Sequence, residues 1–218
     1  MKHCLIILLL FCFCVSKSQE KSPQVLPRFS IRANIGIPKV VSSTAFRNSF
    51  SGIITSDASV NCKLFADFFI GVGYSYTYYK SQKYFREKNV NTSMEAQNGY
   101  VKLGYDKFFS EKGFVTISLN AGYNFNEYKS ISYTSDTLRG VNPTKFTSGF
   151  IEPMIGVYKI VDPNFAIGAH LSYNYNFSQF NPSYPVFDKW LNYKGLSNSW
   201  NMSMITLGFG FYYGLARK

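Results

Sequence analysis

Hydrophobic and polar residues alternate along most of this chain with a period of two. From Phe114 to Tyr128, Val115, Ile117, Leu119, Ala121, Tyr123 and Phe125 are apolar, and Thr116, Ser118, Asn120, Gly122, Asn124 and Asn126 between them are polar or glycine. Side chains of a strand point to opposite faces in turn, so such a run has one oily face and one wet face. The pattern recurs at Phe29–Ile37, Val60–Leu64, Phe68–Tyr78, Val101–Tyr105, Ile151–Val157, Phe165–Phe177 and Ile205–Tyr213. With the first run this predicts eight strands, and no part of the chain beyond its start shows a sustained helical period.

The connections alternate in length. Ala66-Asp67, Ser110–Gly113 and Asp162-Pro163-Asn164 read as tight turns, and residues 38–52, 80–95, 127–146 and 178–200 as long loops. This is the layout of an up-and-down meander whose two ends face different surroundings. Eight antiparallel strands can close into a barrel with no free edge. In lipid, closure is the only solution for a sheet, because every backbone group must be paired. The wet face is mostly Gly, Ser, Thr and Asn, which suits a filled, narrow lumen. A soluble lipocalin-like barrel, with its apolar face lining a pocket, is the competing reading.

Composition sharpens this picture. Of 218 residues, 18% are aromatic. Phe29, Phe68, Phe114, Phe165 and Tyr213 fall near the short-turn ends, and Tyr76, Tyr78, Phe125, Tyr175 and Phe177 near the long-loop ends. Two aromatic girdles at interfacial depth are expected of membrane barrels. Residues 1–18 read as a signal peptide: Lys2, an uncharged run from Cys4 to Val15, then Ser16-Lys17-Ser18. Cleavage after Ser18 leaves 21 basic against 12 acidic residues, a net charge of +9, and Cys62 as the one cysteine, so no internal disulfide is expected. The expected layout is a signal peptide (1–18), a periplasmic segment (19–26), a barrel (27–215) and a short tail (216–218).

The last strand reads Thr206-x-Gly208-x-x-Phe211-x-Tyr213. It resembles the signal that barrel-insertion machinery reads on outer-membrane proteins, although Gly214–Lys218 follow the last aromatic. Together with the signal peptide, strand number and loop alternation, this makes residues 27–215 similar to the small outer-membrane barrels of the OmpA/OmpX type. The resemblance implies an all-β, eight-stranded antiparallel up-and-down transmembrane β-barrel in the cell outer membrane, with short periplasmic turns and long extracellular loops. It implies contact with outer-membrane lipid and lipopolysaccharide, and with the barrel-assembly machinery during insertion. A monomer is expected, and nucleic acid is an unsuitable partner for an exported barrel.

By parity, Arg32, Lys63, Lys102, Asp106, Glu152 and His170 point inward. Charges in a narrow lumen must pair or reach water, so they are expected to form a polar plug. His170-Leu171-Ser172 also matches two positions of the His-x-Ser-Asn motif of lipid A deacylases, which are small outer-membrane barrels. Glu152 would then supply the acid, but Tyr173 stands where that family has Asn. A non-catalytic structural or surface-interaction role is the leading reading, and the deacylase-like enzyme is the alternative. The loops offer Lys80, Lys83, Tyr84, Phe85, Arg86 and Lys88, together with Trp190 and Trp200, as an interaction surface. No metal cluster, phosphate loop or redox pair is visible, so no cofactor is expected.

Overall fold

The computed structural model describes residues 27–42, 44–82, 90–134, 137–181 and 201–215. It is a closed barrel of eight strands in sequence order. The strands are β1 (Phe29–Val40), β2 (Phe50–Lys63), β3 (Phe68–Ser81), β4 (Val90–Ser110), β5 (Gly113–Thr134), β6 (Thr137–Asp162), β7 (Phe165–Gln179) and β8 (Asn201–Leu215). All neighbours are antiparallel, and β1 closes on β8 from Phe29 opposite Leu215 to Val40 opposite Met204.

The three short turns lie where the sequence placed them. In the first, Ala66 takes a left-handed φ of 47°, a conformation that costs a non-glycine residue about 1–2 kcal/mol. The long connections differ from expectation. Residues 127–146 are not a loop: β5 and β6 continue as a hairpin with Tyr128 opposite Thr144 and Thr134 opposite Thr137. Much of 38–52 is ordered as well. β1 runs on to Val40, and a helix, α1 (Thr44–Ser49), leads directly into β2. A six-residue helix has too few turns to show a period in the sequence. It is held by tertiary packing, with Ala45, Phe46 and Ser49 buried.

Polarity is inverted relative to a water-soluble barrel. The outward row carries Ile37, Val72, Leu119, Leu207 and Phe209, with Phe209 69% exposed. The inward row carries Arg32, Asn34, Asn61, Asn98, Lys102 and Asn120, each no more than 5% exposed. Outward aromatics stand at both ends, as with Phe68 packed at 4.8 Å on Tyr105, and also at mid-strand, as with Phe209 and Tyr74. Phe114 is a correction: it is fully buried inside the barrel, stacked 5.1 Å from Tyr158. Val115 and Ile117 take the lipid face, so strict alternation sends Phe114 inward.

Two apolar clusters lie inside, one at each end. At the long-loop end Phe46 of α1 packs on Phe50, Tyr79 and Phe180, with Tyr128, Met202 and Met204 in the same cluster. At the short-turn end Phe114, Tyr158, Ala166 and Tyr212 pack together. The polar lumen lies between them.

Candidate functional site: the polar lumen

The lower part of the lumen is organised by one ion pair. Arg32 on β1 and Asp106 on β4 meet in a two-pronged contact, Nη1 to Oδ1 at 3.1 Å and Nη2 to Oδ2 at 2.6 Å. Thr116 on β5 donates to Asp106 Oδ1 at 2.6 Å and accepts from Arg32 Nη1 at 3.1 Å. The guanidinium lies 4.0 Å from the ring centroid of Phe69 and 5.2 Å from that of Tyr212. Planar geometry lets one arginine serve a carboxylate edge-on and an aromatic ring face-on. Strand pairing explains none of this, because β1 and β4 are not neighbours. The closed barrel brings them together across its axis.

Higher up lies a polar cavity of about 20 Å³, to which all eight strands contribute. Asp57 on β2 accepts from Asn34 Nδ2 at 2.5 Å and from the Tyr100 hydroxyl. Glu152 on β6 accepts from Asn174 Nδ2 at 3.0 Å and from Ser172. It stands at an interruption in the β6–β7 ladder, where neither Glu152 nor Pro153 is paired; proline has no N–H to give a ladder. His170 and Ser172 both line the cavity. No hydrogen bond joins them: His170 bonds the backbone of Phe209, and its Nδ1 has no partner among the described residues. The register sets His170 opposite Gly156, one pair beyond Met154 opposite Ser172 in the same inward row, with Glu152 further along.

Asp57 escapes the sequence reading, and the signal for it was present. Counting back by two from Lys63 and Asn61 gives Ser59, Asp57 and Thr55 on the inward row, of which Ser59 is 3% exposed. Lys63 sits apart from the network at the barrel's rim, paired with Asp67 of the first short turn at 3.0 Å. Lys102 is fully buried, and its Nζ has no hydrogen-bond partner among the described residues.

Of the insertion motif, Phe211 and Tyr213 face outward, and Thr206 faces the lumen. Gly208 is needed where it is: a Cβ there would stand 2.1 Å from the Ile35 carbonyl oxygen and 2.7 Å from His170 Cε1. Lys80 lies half-buried near the end of β3. Lys83, Tyr84, Phe85, Arg86, Lys88, Trp190 and Trp200 lie outside the described residues, as do the expected signal peptide, the 19–26 segment and the tail.

A closed barrel with an apolar exterior and a polar, plugged interior needs hydrocarbon around it, which excludes the lipocalin-like reading. Among solved structures, a major outer membrane protein from Thermus thermophilus matches with a TM-score of 0.56 at 12% identity, over 86% of this chain and 98% of that one. The chain has the fold of the small outer-membrane barrels. With its apolar exterior, it is an integral barrel of the outer-membrane type. Neisserial surface protein A also matches, with a TM-score of 0.49 at 18% identity, over 88% of this chain and 99% of that one. So does Ail, the attachment invasion locus protein of Yersinia pestis, with a TM-score of 0.47 at 14% identity, over 87% of this chain and all of that one. No protein-family model matches this outer-membrane barrel, and no curated protein matches it by sequence.

Proposed function

We propose that the protein is a non-catalytic outer-membrane barrel that presents a surface for interaction outside the cell. The observation that carries this reading is strand length. A strand crosses the bilayer in about 9–11 residues, yet β4, β5 and β6 run to 21, 22 and 26 residues. Their excess lies at the long-loop end, where β4, β5 and β6 stay paired beyond the length a bilayer needs. A lumen plugged at the long-loop end points the same way, because Phe46 and Phe50 pack there. Lys80 stands near the end of β3, and Lys83, Arg86 and Lys88 follow it in the sequence before β4, so a phosphate-bearing ligand such as lipopolysaccharide suits this stretch. Thr206, Gly208, Phe211 and Tyr213 would serve the insertion machinery.

The test uses the barrel in lipid nanodiscs and purified lipopolysaccharide. Glutamine at Lys80, Lys83, Arg86 and Lys88 together should weaken binding at least tenfold at low salt, at about 1 kcal/mol for each basic group near an anionic surface, with less effect as salt screens the charges. Unchanged binding would remove the basic stretch from this proposal.

The enzymatic alternative has a separate outcome. Ser172 is engaged with Glu152 and not with His170, so the hydroxyl lacks the histidine base that a His-x-Ser arrangement supplies. Alanine at His170 or Ser172 should leave lipid A acylation in the host unchanged by mass spectrometry. A gain or loss of acyl chains would install the deacylase-like reading in its place.

A further inference from the structure

Between its two apolar plugs the lumen carries five ionisable acids and bases among the described residues, with His170 counted as neutral. Arg32 and Asp106 neutralise each other at 2.6 Å. Lys102, Asp57 and Glu152 remain, one positive and two negative groups between the two plugs. With all three ionised, one negative charge would be left over. A buried charge without a partner is strongly disfavoured, and Asp57 and Glu152 line the same cavity.

A second observation comes from amide groups. Asn98 donates through Nδ2 to Ser75 Oγ at 2.8 Å, which leaves its Oδ1 without a partner. Asn120 Oδ1 is also without a partner. Both residues line the cavity, at 4% and 3% exposure. The site thus offers two carboxylates and two unused amide oxygens, all hard oxygen donors of the kind that hard cations take. Water would satisfy the amides but not the charge.

We propose that this cavity binds one monovalent alkali cation, held by Asp57 and Glu152 with the amide oxygens of Asn98 and Asn120. A single positive charge closes the balance, whereas a divalent ion would reverse it. About 20 Å³ admits one particle of water size. Among the described residues no three of His, Cys, Asp and Glu converge, so the donor set does not suit a transition metal. Because the ion is enclosed by both plugs, it is captured as the barrel folds and stabilises the closed lumen. This site is independent of whatever the outer loops bind.

The experiment refolds the full chain into detergent micelles with sodium, potassium, rubidium or N-methylglucamine as the only cation at equal ionic strength. Thermal unfolding is read from the gel shift of the folded barrel. The alkali-refolded protein should unfold several degrees above the N-methylglucamine form. Glu152→Gln should abolish that difference. Lys102→Met should enlarge it, because it leaves both carboxylates without their ammonium. Crystals of rubidium-refolded wild type should show one anomalous peak in the cavity, which decides the matter even where a variant fails to fold. Equal unfolding temperatures in every cation, a cation effect that survives in Glu152→Gln, or a cavity containing only water would overturn the proposal.

Discussion

Arginine in place of Phe209 should cost the folded barrel about 2–4 kcal/mol, the range for a cation on the lipid face near mid-depth. Phe209 lies in the middle of β8, opposite Ile35 of β1 and Ala169 of β7, and its side chain is directed outward. A water-soluble barrel would gain from the same change, since it replaces an exposed phenyl ring by a solvated charge. The sign of the effect therefore reports which solvent the exterior meets. Depth supplies the control. Leu215 also faces outward, at the strand's end, and arginine there should cost about 0–1 kcal/mol. Urea titration of each variant in lipid vesicles measures both. Equal costs at the two positions, or a wild-type chain that folds in plain buffer without amphiphile, would contradict a membrane exterior.

The sequence made the barrel legible because lipid imposes a strict period of two, and strands that obey it are read directly. It failed where the period breaks. The first half of β2 was missed because a bulge shifts the register between Gly52 and Ile54, so Ile53 and Ile54 both face outward, at 48% and 39% exposure. A bulge puts two residues against one and reverses parity beyond it. Asp57 lies on the unbroken side of that bulge, in step with Ser59, Asn61 and Lys63. The first turn was found without its φ, since nothing in the composition of Leu64–Asp67 marks Ala66 as left-handed. The extended hairpin of β5 and β6 was hidden for a different reason: Tyr128, Ile131, Tyr133, Leu138, Val141 and Phe146 change parity along the sequence, so no unbroken alternation marks a strand.

The candidate site was legible in its members and not in its partnerships. Parity names Arg32, Lys102, Asp106, Glu152 and His170 as inward, but it does not say who meets whom across the axis. Arg32 reaches Asp106 from a strand that is not its neighbour, and Glu152 takes Ser172 and Asn174 in place of His170. Those pairings depend on depth and on side-chain length, which a period of two does not encode. Inward aromatics were underestimated for a similar reason. Phe69, Phe114, Tyr158 and Tyr212 occupy the wet parity because an eight-stranded barrel has room for side chains and must fill it.

Alanine at Asp106 should be the most damaging single change in the lumen, about 3–5 kcal/mol, because it strands a guanidinium that is 2% exposed. Thr116 loses its acceptor in the same step. Arg32→Ala should cost a similar amount by stranding the carboxylate, and it also removes the ring contacts with Phe69 and Tyr212. The pair as a whole is a different matter. Desolvating two ions offsets much of what their attraction returns, so replacing both by apolar groups of similar size is often nearly neutral. Arg32→Met combined with Asp106→Leu should therefore recover most of the loss, and a double-mutant cycle by urea unfolding in lipid should give a coupling of more than about 1 kcal/mol. Arg32→Lys is the sharper variant: it keeps the charge but gives up the paired hydrogen bonds and the flat stacking face. If lysine restored full stability, charge alone would hold this end of the lumen. If it did not, the fork geometry, 3.1 and 2.6 Å to the two oxygens of Asp106, is what locks β1 to β4 across the barrel.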